Sequence, residues 1–176
     1  MSSIIKVDQI QLANGSTPTA GDLGITGIGQ VLQVVQAVEQ RASSASSAAT
    51  SYTNVTGLEC AITPTSASSK ILVQASFYVH TQNLNYSRLT LFRDSTNLAT
   101  NGDKLSFVML RGDGDTNGGG GNGFGSYGML NLQFLDSPNS TSQLVYTLKS
   151  KRIDPQNNSI YFQEAVNTII AMEIAG

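Results

Sequence analysis

A single histidine, His80, and a single cysteine, Cys60, bound the nucleophilic and acid–base chemistry open to this chain. Any Ser-His-Asp or Cys-His arrangement would have to use His80, which closes the alternating run "KILVQASFYVH". No nucleophile elbow, His-Glu helix motif or Cys/His metal cluster accompanies it. Cys60 alternates with Leu58 and Ile62, the spacing of a side chain that faces a core. The twelve carboxylates are dispersed, and Asp94, Asp103, Asp113, Asp115, Asp136 and Asp154 fall in turn-like sequence. A glycoside hydrolase needs two carboxylates at a fixed separation, and the spacing offers no such pair. The expectation is a protein that is not an enzyme and holds no cofactor and no metal.

The stretch "RGDGDTNGGGGNGFGSYG", residues 111–128, carries three competing readings. Asp113, Asp115, Asn117 and Gly118 reproduce the first half of an EF-hand loop, where three oxygen-bearing side chains converge on a cation. The twelfth position, which requires a bidentate Glu, is Phe124, and flanking helices are absent from the pattern. Arg111-Gly112-Asp113 spells an adhesion tripeptide, but nothing else points to an animal-cell ligand. The third reading is mechanical. Four consecutive glycines, Gly118 to Gly121, tolerate any backbone conformation and present no side chain to pack. A connection of this length is expected to be functional or variable, a surface-contact loop with Arg111, Asp113 and Asp115 as its charges and Phe124 and Tyr127 as its aromatic anchors.

The elements that must position these residues read as strands. From Val55 onward the apolar period is two: Leu58, Cys60 and Ile62 up to Pro64, then Ile71, Val73, Ala75, Phe77 and Val79. "SRLTLFRD", "LSFVML", "YGMLNLQFLD", "QLVYTLKSKR", "SIYFQEA" and "NTIIAMEIAG" follow, separated by Gly, Pro, Asn, Asp and Ser. "VLQVVQAVEQR" fits either period, but its β-branched content and preceding glycines favour a strand. "ASSASSAATSY" reads as a spacer, either loop or edge strand. Some eight or nine short strands without a convincing helix predict an all-β sandwich or closed double sheet.

Residues 1–30 differ. "IIKVDQIQLANG" is a short β-like run, and "STPTAGDLGITGIGQ" is broken by Pro18 and glycines. The division expected is an arm over 1–30, ordered by a partner, and a body over 31–176. "MSSIIKVDQIQ" lacks the apolar stretch of a secretory leader, and no apolar run reaches membrane-span length. A cytoplasmic site of synthesis and no membrane insertion are therefore expected.

Charged residues are 12% of the chain, about half the usual share, replaced by Ser, Thr, Asn, Gln and Gly. Such a surface suits contact with further copies of itself. The net charge of −2 and the scattered Lys and Arg, with only Lys149, Lys151 and Arg152 close together, argue against a nucleic-acid partner.

Four stretches, "IIKVDQIQLANGSTPTAGDLG", "GIGQVLQVVQA", "AITPTSASSKILVQASFYV" and "SIYFQEAVNTIIAMEIAG", resemble fibre-like virion structural proteins of marine tailed phages. The order "LTLFRDSTNLAT", "SQLVYTLKSK", "SIYF", "IIAMEI" is also similar, more weakly, to the tumour-necrosis-factor-like (complement-head-like) jelly roll. The resemblance implies a homotrimeric, antiparallel jelly-roll sandwich preceded by an extended N-terminal arm, assembled in the host cytoplasm and carried on the virion. Its expected partners are itself, other tail or capsid proteins, and a host surface receptor or glycan. Anchoring is expected from the apolar positions of the arm: Ile4, Ile5, Val7, Ile10 and Leu12. The chain is short for a tail fibre, so a capsid decoration protein stands as the alternative. A carbohydrate-binding module is a third reading; it needs exposed aromatics on one sheet face, for which Tyr78 and Tyr86 are candidates although Trp is absent.

Overall fold

The computed structural model describes residues 10–18, 29–40, 45–47, 49–81, 86–99, 108–111, 126–152, 160–162 and 165–176. Among these residues there is no helix. The strands are β1 (Val31–Gln40), β2 (Ala45–Ser47), β3 (Thr53–Ile62), β4 (Lys70–Thr81), β5 (Tyr86–Arg93), β6 (Thr96–Asn97), β7 (Val108–Arg111), β8 (Ser126–Asp136), β9 (Leu144–Arg152), β10 (Ile160–Phe162) and β11 (Val166–Ile174). The ambiguous run at residue 31 is a strand, and the Ser/Ala spacer contributes the short strand β2.

All pairings are antiparallel. One sheet runs β1–β11–β4–β8, with β2 and β10 continuing the β1 and β11 positions beyond a break. The other runs β3–β9–β5, with β6 and β7 sharing the last edge. The two antiparallel sheets pack face to face as a β-sandwich.

The core is where the period of two puts it. Leu58, Cys60 and Ile62 from β3 meet Ile71, Val73, Ala75, Phe77 and Val79 from β4, with Leu89, Leu91, Tyr146, Leu148, Ile169 and Ala171 closing the space. Burial pushes the Cys60 thiol up to about 11, so it remains neutral and packs as a small hydrophobe. Gly57 sits at φ +77° where the β3–β9 register shifts between Asn54 and Glu59. A side chain there would run into the Glu39 carboxylate of β1.

The register also defines two ends. Residues 29–31, the turn 63–69, the hairpin at Asp94, residues 137–143 and the C-terminus lie at one end. The connections after Gln40, Thr81, Arg111 and Arg152 leave from the other. β4, with twelve residues, spans the separation, about 40 Å at strand rise.

Candidate functional site

Two polar networks fasten the first end. Arg93 on β5 donates through Nη1 to both oxygens of Asp136 on β8, at 2.9 and 2.7 Å, and Tyr146 on β9 donates its hydroxyl to Oδ2 at 2.7 Å. This ties one sheet to the other across the core edge. Burial, and then the hydrogen bond to Asp136, push the Tyr146 phenol far above its ordinary range. The second network surrounds Glu173, fully buried on β11. Gln33 Nε2 donates to Oε2 at 2.6 Å, while the Thr65 amide and hydroxyl each donate to Oε1 at 2.7 Å. Burial alone would raise this carboxyl, but the donated hydrogen bonds outweigh it and hold the group at about 2. Gly29 and Ala175 extend the β1–β11 ladder past its last strand residues, through bonds of 2.8 Å from Gly29 N to Ala175 O and from Ala175 N to Gln30 O.

The outward face of the β1–β11–β4–β8 sheet is unusual in its chemistry. Its rows, read across the register, are Val34–Met172–Leu72–Leu135, then Gln36–Ile170–Gln74–Gln133, then Val38–Thr168–Ser76–Asn131. None of these side chains carries a charge. Val34 is 58% exposed and Leu135 50%, and Val38, Met129 and Val166 on the same face are equally open. Near the centre a shallow depression of about 420 Å³ is lined by Gln74, Ser76, Asn131, Gln133, Thr168 and Ile170.

The outward face of the other sheet is different. Arg88 on β5 lies directly opposite Lys151 on β9, with Lys149 two residues along. The Lys151 ammonium sits 4.6 Å from the centre of the Tyr52 ring and that of Lys149 4.4 Å from Phe92, and the two rings meet edge to face at 5.4 Å.

Of the expected anchoring residues, Ile10 is half exposed and Leu12 opens a tight turn, its carbonyl accepting from the Gly15 amide at 2.8 Å. Ile4, Ile5 and Val7 lie outside the described residues, as do Asp113, Asp115 and Phe124 of the glycine-rich connection. Arg111 and Tyr127, expected within that loop, belong to strands: Arg111 closes β7 opposite Tyr86, and Tyr127 stands in β8 opposite His80. Residues 112–125, between these strands, lie outside the described residues. Among the described residues no group of three His, Cys, Asp or Glu side chains comes together to hold a metal ion. The sequence reading did not single out the cationic face, although the alternation of Lys149 and Lys151 within "LVYTLKSKR" already put both on the side away from Leu148.

No family model matches the chain, and no curated protein is significantly similar to it.

Proposed function

We propose that the protein is a non-enzymatic phage virion structural protein, a short homotrimeric appendage of tail-fibre or spike type. Its N-terminal arm fixes it to the particle, and its surface connections meet the host. The polarity of the sandwich carries this reading. The arm joins the body at Gly29, beside the C-terminus, whereas the glycine-rich connection leaves from Arg111 and returns at Ser126, at the opposite end. Attachment and contact are thereby separated by the whole length of the strands, and weak contacts at symmetry-related copies add by avidity.

The three uncharged rows of the β1–β11–β4–β8 face, with Lys70 beyond them at the arm end, support self-association. The exposed apolar row Val34–Met172–Leu72–Leu135 has the mark of an interaction surface, and the uncharged rows beside it meet their own copies without repulsion or desolvated ions. Replacing both Val34 and Leu135 by Lys tests this, because both are exposed and neither supports the core. Light scattering is expected to give a trimer for the wild type and a monomer of unchanged melting temperature for the variant. A monomeric wild type at tens of micromolar would remove the trimer. Location is tested on intact particles by cryo-electron microscopy. Density at the tail tip or collar fits the appendage, and density repeated over the shell makes the protein a capsid decoration with the arm as its contact.

A further inference from the structure

We infer that the polar depression on the outward β11–β4–β8 face, lined by Gln74, Ser76, Asn131, Gln133, Thr168 and Ile170, is a binding site for a neutral sugar of a surface glycan. The inference deepens the host-contact reading and rests on it for its biological sense. Chemistry is the first observation. The register sets Thr168–Ser76–Asn131 and Ile170–Gln74–Gln133 in adjacent rows, so three amides and two hydroxyls share a small area with one aliphatic side chain. Amide and hydroxyl side chains offer both donors and acceptors, which matches a sugar hydroxyl that donates and accepts at once. Ile170 supplies an apolar patch for the C–H face of a pyranose ring.

Availability is the second observation. Asn131 and Gln133 are exposed, and Gln74, Ser76, Thr168 and Ile170 are half-buried on a rigid three-strand floor. The hydrogen bond that joins two of these side chains, from Gln74 Nε2 to Gln133 Oε1, is long at 3.4 Å, so a ligand hydroxyl can replace it at little cost. Position completes the case. The next outward residue of β4 is the half-buried Tyr78, opposite Met129, and the row of register positions after it is Tyr161–His80–Tyr127. Ring-bearing residues thus continue the face toward the end where β8 begins, and flat rings give large contact area with little entropy to lose. Tyr86, the other tyrosine considered as a sugar platform, stands in β5 of the opposite sheet.

The occupant follows from size and polarity. The depression, about 420 Å³, falls within the roughly 300–1,000 Å³ of small-molecule sites. An anionic sugar meets no cation among the described residues that line it. An apolar ligand would strip water from five polar side chains and return no hydrogen bond to them. A second copy of the chain is the remaining occupant, and the test separates it from a sugar.

The test is affinity electrophoresis of the purified full chain through gels holding dextran, mannan or galactan, with polygalacturonate as the charged polymer and mobility measured against a polymer-free gel. Retardation by at least one neutral polymer, insensitive to salt, is expected. Asn131→Ala with Thr168→Ala should weaken that affinity about ten-fold or more, and Thr168→Ser alone should hold it within about two-fold. The Val34→Lys, Leu135→Lys variant should bind as the wild type does. Melting curves verify that each variant is folded. Absence of retardation by all three neutral polymers, retardation that survives the double Ala change, or stronger retardation by polygalacturonate each overturns the site. Binding that emerges only in the Val34→Lys, Leu135→Lys variant gives the depression to a second copy and overturns it too. Because the electrophoresis uses the isolated chain, its failure leaves the location of the protein on particles to be decided by microscopy alone.

Discussion

Asp136 is a carboxylate that two other side chains depend on. Its replacement by Ala strands the Arg93 guanidinium and the Tyr146 hydroxyl at the edge of the core, and a loss of about 3 kcal/mol is expected in urea unfolding. Tyr146→Phe removes one hydrogen bond and keeps the ring, so about 1 kcal/mol is expected. Glu173 makes a prediction in pH. Its folded value, about 2, lies below the ordinary 4.5, so its stabilisation is complete above pH 4.5 and disappears as pH falls toward 2. That difference corresponds to about 3 kcal/mol. Unfolding followed from pH 5 to pH 2 should show this loss in the wild type and a flatter curve in Glu173→Gln. Glu173 was legible as a fact of phase, whereas Asp136, expected in turn-like sequence, closes β8 as a buried residue. Asp136 continues the inward parity of Leu132 and Phe134, and Glu173 that of Ile169 and Ala171. What the alternation could not supply were their partners, since Gln33 and Arg93 lie far away in the chain and only the sheet order brings them in.

At the scale of elements, the inward residues of β3, β4, β9 and β11 were readable because one buried face forces strict alternation. Two departures from that rule have local causes. At Gly57 the register of β3 slips, and a positive φ combined with the nearby Glu39 carboxylate demands the absence of a side chain. Gly57→Ala is expected to lower stability by about 1 kcal/mol or more, read from the midpoint of chemical unfolding. Between β10 and β11 the ladder along β4 is interrupted, and the buried Asn167 fills the gap. Its Oδ1 accepts from the Tyr78 amide at 2.8 Å, and its Nδ2 donates to the Ala165 carbonyl at 3.2 Å. Such a repair has no signature in hydrophobic period, although the two strands it separates were legible as "SIYFQEA" and "NTIIAMEIAG". The outward faces were less legible still. Exposed positions accept many residue types, and their meaning emerges only when the register lays Val34, Met172, Leu72 and Leu135 side by side.

For the whole molecule, the Gly29 hydrogen bond to Ala175 begins the β1–β11 ladder, and the proposed arm is the chain before it. Deleting residues 2–24 is therefore expected to leave the melting temperature within a few degrees of the wild type while abolishing incorporation into particles. A body that unfolds on this deletion would place the arm within the core. The same arrangement has a mechanical side. Residues 29 and 30 lead directly into β1, and β1 lies antiparallel along β11 over its full length. Tension applied between the arm and the far end pulls along the strands, so the β1–β11 hydrogen bonds are loaded together in shear and do not unzip one after another. A tether built this way yields only when the whole row gives at once.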